Sequence, residues 1–93
     1  MEESGFYTYL LWCADDTLYC GWTTHPQQRL AQHNAGKGAK YTRVRLPVRL
    51  VAQWQFDSKA EAMRYEARVK RLSRKQKLAL VESQLEDSVS DLF

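Results

Sequence analysis

Thr17-Leu-Tyr-Cys-Gly-Trp-Thr-Thr-His-Pro-Gln-Gln-Arg-Leu-Ala-Gln-His33 reads as a strand, a short turn and a helix that opens at Pro26. Proline is suited to the first helical turn, where its missing N–H has no partner to lose and its fixed φ is already helical. Arg29 and His33 then stand at i and i+4, on one helix face, so a guanidinium and an imidazole point the same way. The strand before them presents Tyr19 and Gly21, a glycine that lets another backbone or a ligand come close. A phenol, an arginine and a histidine gathered in this way are compatible with a catalytic site.

Working upstream, Phe6-Tyr-Thr-Tyr-Leu-Leu-Trp-Cys13 is aromatic and β-branched, and the acidic pair Asp15-Asp16 separates it from Leu18-Tyr-Cys-Gly-Trp-Thr23. The pattern predicts a β-hairpin. Alternation puts Leu10, Trp12, Leu18, Cys20 and Trp22 on one face and Tyr7, Tyr9, Leu11, Tyr19 and Gly21 on the other. These sets coincide only if the loop holds an odd number of residues, because a one-residue slip flips every side chain. A three-residue loop, Asp15-Asp16-Thr17 with Asp16 in the left-handed region, meets that condition. Tyr9 and Tyr19 then share a face, while Cys13 and Cys20 face opposite ways and cannot bond to each other.

Downstream, Thr24-His25-Pro26 supplies a cap and a helix start, and Asn34-Ala-Gly36 a stop. Gly36-Lys-Gly38 leads into Ala39-Lys-Tyr-Thr-Arg43, which interleaves a ring and a hydroxyl with charges. That composition suits backbone phosphates, or simply a solvated connection. Val48 to Phe56 predicts a third strand. Ser58 and Glu61 form a capping box for the next helix, which runs through Leu72, and Ser73 or the residues after it open a last one. Glu66 is the notable position on that penultimate helix. Ala62, Met63 and Val69 are its i−4, i−3 and i+3 neighbours, so the carboxylate stands on the apolar stripe. A charge there needs a partner, either a metal or Lys70 at i+4.

Ninety-three residues make one domain, and an apolar share of 44% with a charged share of 27% fits an ordinary globular chain. No apolar run approaches the ~20 residues that span a bilayer, and the start lacks a signal peptide's basic region, so the expected compartment is the cytoplasm and no membrane partner is expected. The net charge of +3 is modest, but its layout is segregated. From Thr17 to Phe56 there is no acid, while Arg29, Lys37, Lys40, Arg43, Arg45 and Arg49 are basic. Arg64, Arg68, Lys70, Arg71, Arg74, Lys75 and Lys77 form a second basic run, interrupted by Glu66. Clustered cations favour a polyanionic partner through counterion release, although a solvated helix face explains the second run equally well.

Tyr7-Thr-Tyr9, Tyr19-Cys-Gly21, Arg29, His33 and the glutamate of Ala62-Met-Arg-Tyr-Glu66, in this order and at these spacings, resemble the GIY-YIG nuclease superfamily. His33-Asn-Ala-Gly-Lys-Gly-Ala-Lys-Tyr-Thr-Arg43 and Leu72-Ser-Arg-Lys-Gln-Lys77 are similar, more narrowly, to its small single-domain bacterial members of the YhbQ-like and UPF0213-like type. The resemblance spans residues 6 to 81. It implies an α+β fold with a small three-stranded antiparallel sheet flanked by helices, and metal-dependent endonuclease activity on DNA phosphodiester bonds, in repair or recombination. It implies Tyr9, Tyr19, Arg29, His33 and Glu66 as catalytic residues, with Glu66 the ligand of Mg²⁺ or Mn²⁺. Tyr7 and Thr8 depart from the glycine and isoleucine of the first motif, Cys20 from the middle residue of the second. No asparagine follows Glu66, where some members use one.

On this reading Arg29 clamps phosphate oxygens, and the tyrosines act as base where nearby cations favour the phenolate. Lys37, Lys40, Tyr41, Thr42, Arg43 and Lys70 are expected to hold DNA, whether double-stranded, single-stranded or branched. The alternative is a binding module on the same fold that does not cut. The domain is expected to span residues 1–85, with 86–93 a flexible acidic tail. Its end, Ser90-Asp-Leu-Phe93, resembles the peptides that dock bacterial DNA-processing proteins on the sliding clamp, which would make it a contact for a protein partner, or else it folds back on the domain.

Overall fold

The computed structural model describes residues 5–90, with side chains as far as residue 85. Strands β1 (Phe6–Trp12), β2 (Leu18–Thr23) and β3 (Arg49–Phe56) form one antiparallel sheet in the order β2-β1-β3. Helices α1 (Pro26–Asn34) and α2 (Lys40–Arg43) join β2 to β3, and α3 (Lys59–Lys70) and α4 (Arg74–Ser90) follow. The architecture is α+β, as expected. Among the described residues no helix is long and apolar enough to cross a membrane.

The hairpin faces follow the predicted parity. Tyr9 lies opposite Gly21, Leu11 opposite Tyr19 and Leu10 opposite Cys20. The loop itself sits one residue earlier than expected: Cys13 N–H donates to the Thr17 carbonyl at 2.9 Å, and Asp16 N–H to the Cys13 carbonyl at 2.9 Å. Ala14-Asp15-Asp16 is therefore the loop, with Asp16 at φ 66°. A three-residue hairpin wants its left-handed residue third, after a type I turn, and Asp16 fills that place only if the loop starts at Ala14. Both registers keep the same residues on each face, which is why the error leaves the site intact.

Two cores result. Leu10, Cys20 and Ala52 face Val69 of α3 and Val81 of α4, and Thr8 donates from its buried hydroxyl to the Ala62 carbonyl at 2.7 Å. On the opposite face Tyr9, Leu11, Cys13 and Val48 pack with Leu30 of α1, Leu46 and Leu50. The β1–β3 register shifts between Leu10 and Leu11, whose partners are Ala52 and Leu50. Val51 is thus an extra residue, and this bulge lets Leu50 and Ala52 serve different faces although they are two apart.

Local signals set the helix ends. Gly36, at φ 78°, closes α1: its N–H donates to the His33 carbonyl and that of Lys37 to the Gln32 carbonyl, both at 3.0 Å. His25, not Thr24, occupies the N-cap of α1, and it makes no side-chain cap bond. Ser58 caps α3 by accepting from Glu61 N–H at 3.2 Å. Ser73 and Gln76 cap α4 reciprocally, at 2.9 and 3.2 Å. Gln84 of α4 brackets the backbone of Gln53 at 3.0 and 2.5 Å, covering part of the edge strand β3. Residues 86–90 of the expected tail continue α4, while Asp91, Leu92 and Phe93, on which the docking expectation rests, lie outside the described residues.

Candidate active site

Tyr9, Tyr19, Arg29 and His33 come together where α1 crosses the hairpin. His33 is fully buried, and both ring nitrogens are engaged: Nε2 lies 2.9 Å from the Tyr9 hydroxyl and Nδ1 2.8 Å from Thr42 Oγ1. Arg29, one turn earlier on the same face, stands near enough to the Tyr9 phenol to lower its pKa, and through Nη1 it donates to Gln32 Oε1 at 3.0 Å. The Tyr19 ring stands edge-on to His33 with centroids 5.4 Å apart. Gly21 makes room for this: a Cβ there would lie 2.5 Å from the Tyr9 oxygen, so the phenol reaches His33 only across a glycine.

Burial decides the protonation of this cluster. Desolvation raises the Tyr9 pKa from 10.0 to about 12, against the lowering effect of Arg29. It lowers that of His33 from 6.5 to about 4, with the charge of Arg29 adding to the fall. Arg29 favours the Tyr9 phenolate, as expected of a neighbouring cation, but the loss of water in this buried site outweighs that one guanidinium. Tyr9 is a neutral phenol and His33 a neutral imidazole around pH 7.

The stretch 36–43 departs further from its reading. Lys40–Arg43 is one helical turn rather than a loop, and Thr42, expected at the DNA surface, is fully buried beside His33. Gly38 permits that contact, since a Cβ on it would overlap the imidazole at Nδ1. Lys37, Lys40 and Arg43 do point to solvent. Tyr41 is 37% exposed, but its ring stacks on Tyr19 at 5.9 Å on one side and carries the Arg45 guanidinium at 3.8 Å. Its faces are taken, and only its edge is open to a ligand. Arg45 in turn pairs with Asp15 at 2.9 Å, tying α2 to the hairpin loop.

Glu66 occupies the other side of the sheet. Its helix, α3, covers the Leu10–Cys20 face, and its carbonyl lies 3.9 Å from Cys20 Sγ. The Glu66 side chain is 18% exposed and its carboxylate pairs with Lys70 at 3.6 Å, so Lys70 is engaged by Glu66 here. Burial and then Glu66 raise the Cys20 thiol pKa to about 12, while Lys70 and Lys77 oppose the rise. Lys77 thus belongs to the same electrostatic neighbourhood. The sequence reading missed Lys77 and Gly38 as site residues, and it placed Thr42 at the DNA surface rather than against His33. It also missed Asn34, whose amide brackets Val48 at 2.8 and 3.0 Å and fixes α1 to the start of β3.

A hard divalent cation fits such a donor set. Mg²⁺ keeps several waters and is held by one or two carboxylates plus substrate phosphates, so a lone half-buried glutamate is enough protein ligand. Among the described residues no group of three or more His, Cys, Asp and Glu side chains gathers.

The sheet order, the paired tyrosines and the arginine–histidine helix define a GIY-YIG catalytic domain, and the model of that family matches residues 5–79. The chain belongs to the GIY-YIG family. Within it, the chain is similar to UPF0213 proteins. It is 56% identical over 81 residues to the UPF0213 protein YsiG of Lactococcus lactis, covering 86% of this chain and 78% of that one. With a UPF0213 protein of Halobacterium salinarum it shares 58% identity over 74 residues, or 80% and 96% of the two chains. The solution structure of the UPF0213 protein BH0048 from Bacillus halodurans superimposes with a TM-score of 0.55 at 54% identity, over 84% of this chain and 83% of that one. That of EF2693 from E. faecalis gives 0.60 at 42%, over 89% and 90%.

Proposed function

We propose that the protein is a divalent-metal-dependent endonuclease that hydrolyses DNA phosphodiester bonds. The observation that carries the reading is the gathering of Tyr9, Tyr19 and Arg29 around the buried His33 ring in a family whose domain is catalytic. Binding phosphate requires only cations; a buried neutral imidazole hydrogen-bonded to a phenol adds nothing to that, yet suits proton handling.

In this mechanism Arg29 offers its planar fork to the non-bridging oxygens of the scissile phosphate, where charge grows in the transition state. Tyr9, protonated and held by His33, orients Arg29 and gives the site a fixed hydrogen-bonding oxygen. Tyr19 is half-buried rather than closed off, and it is the phenol available to the attacking water. Glu66 would hold the cation, Mg²⁺ or Mn²⁺, which would supply Lewis-acid stabilisation of the phosphate. Lys37, Lys40 and Arg43 on one side and Lys77 on the other draw the backbone of double-stranded, single-stranded or branched DNA. The proposed setting is DNA repair or recombination in the cytoplasm, a reducing compartment that suits the free thiols of Cys13 and Cys20.

The Glu66–Lys70 pair favours a second reading, a binding module that does not cut, because an internal cation already balances the carboxylate. Incubating the protein with supercoiled plasmid, single strands and four-way junctions in Mg²⁺, Mn²⁺ or EDTA decides between them. Metal-dependent nicking that EDTA and Glu66→Ala both remove is expected. Retention of all three DNAs on a gel with no cleavage in either metal would overturn the nuclease reading.

A further inference from the structure

Thr42 has one hydroxyl proton and two hydrogen-bond partners. Its Oγ1 donates to the Ala39 carbonyl at 3.0 Å and lies 2.8 Å from His33 Nδ1. A proton given to the carbonyl cannot also be given to the ring, so Oγ1 accepts there and Nδ1 carries the imidazole proton. Nε2 is then an acceptor, and its partner at 2.9 Å is the Tyr9 hydroxyl, which must donate. The Tyr9 oxygen keeps its lone pairs, with Arg29 near it.

The opposite tautomer satisfies fewer groups. A protonated Nε2 would aim its donor at the Tyr9 oxygen, and the Tyr9 proton would need another acceptor. Thr42 would have to turn its proton to Nδ1, leaving the Ala39 carbonyl with the Arg43 N–H alone, at 3.1 Å. Among the described residues no buried side-chain nitrogen or oxygen lacks a partner, and with the proton on Nδ1 each bond of the chain Ala39–Thr42–His33–Tyr9 has one donor and one acceptor.

We propose that Thr42 is a positioning residue of the site: its hydroxyl fixes the tautomer of His33 and thereby the direction of the Tyr9 proton. The inference rests on the nuclease reading only for its kinetic consequence. The same turn of helix exposes Lys40 and Arg43, so phosphate contacts and hydroxyl orientation meet on α2.

Thr42→Val keeps the shape and removes the hydroxyl, while Thr42→Ser keeps the hydroxyl. Long-range ¹H–¹⁵N correlation spectra of the His33 ring read the tautomer directly. The wild-type protein and Thr42→Ser are expected to carry the proton on Nδ1, and Thr42→Val to move it wholly or partly to Nε2. Cleavage by Thr42→Val should fall by about 10- to 100-fold in kcat with KM unchanged, and Thr42→Ser should recover most of the rate. A wild-type His33 protonated on Nε2 overturns the inference without any variant. So does a folded Thr42→Val whose tautomer is unchanged, since Thr42 then only packs. If wild-type protein cuts no DNA, the nuclease reading fails while the tautomer spectra still decide this one.

Discussion

Lowering the pH from 6.5 to about 4 is expected to cost this protein about 3 kcal/mol through His33 alone, at about 1.4 kcal/mol per pH unit. In the fold the imidazole is out of water, close to the Arg29 charge, and its Nε2 accepts from Tyr9, so a proton there would lose a hydrogen bond and bury a charge. In the unfolded chain it takes the proton near 6.5. Between the two values only the unfolded chain binds it, so unfolding takes up a proton and acid favours it. The contribution is complete above 6.5, fades as the pH falls and is gone below about 4. Asp15 does not mimic this, because the Thr17 hydroxyl chiefly, with Arg45, holds its carboxyl below 3.8, under the window. Urea melts from about pH 7 to about pH 4, for wild type and for His33→Gln, measure the difference. The variant keeps an amide in the place of the ring and does not titrate there, so subtraction removes the other groups. Parallel stability curves, or a His33 ring resonance titrating near 6.5, would refute the reasoning.

Glu66→Ala should abolish cleavage in Mg²⁺ while leaving DNA affinity equal or slightly higher in a gel-shift titration, because a negative charge leaves a basic neighbourhood; unchanged cutting would remove the metal role. Gly21→Ala should destabilise the fold by about 1–3 kcal/mol in urea melts, since its Cβ would lie 2.5 Å from the Tyr9 oxygen, and a neutral effect would mean the phenol moves freely. Arg43→Ala should weaken binding to all DNA sequences alike and reduce the slope of log K against log salt by about one. Loss confined to particular sequences would mark it as a base contact instead.

Much of the hairpin was legible because alternation and an odd loop together fix which residues share a face, whatever the exact pairing. Tyr9 and Tyr19 came out on one side, and Cys13 and Cys20 on opposite sides, even though the loop begins at Ala14. Helix α1 was bounded by Pro26 and Gly36, whose backbone preferences act within a turn, and Ser58 announced α3 in the same way. The turn at Lys40–Arg43 was not legible: four residues carry no periodicity, and a threonine between a tyrosine and an arginine looks solvated. Its burial comes from a partner nine positions away in sequence, a hydrogen bond to His33 that no local pattern encodes. Two glycines bracketing a lysine just before it were the available sign, since Gly38 is needed against the ring rather than for flexibility. The burial of Tyr9 was not legible for a related reason: the charges around it can be counted in the sequence, whereas the exclusion of water from it cannot.

The remaining question of geometry is how a proton-handling cluster on one face of the sheet and a carboxylate on the other serve one phosphate. The sheet order answers it. β2 is an edge strand, and Tyr19 and Cys20 are consecutive on it, one pointing to each face. Tyr19 touches His33 and Tyr41 on the α1 side, and Cys20 touches the Glu66 carbonyl on the α3 side. The two halves therefore meet at the β2 edge, and in the proposed nuclease a phosphodiester crossing that edge would meet both. Lys77, with Lys70, lies on the Glu66 side of that edge, and Arg29 on the Tyr9 side, so positive charge flanks the crossing from both directions. The small side chains of Cys20 and Gly21 in this strand keep the crossing narrow. A bulky residue at position 21 would push the Tyr9 ring away and one at position 20 would press on α3, so in the proposed nuclease the second tyrosine motif would act through packing as well as through its phenol.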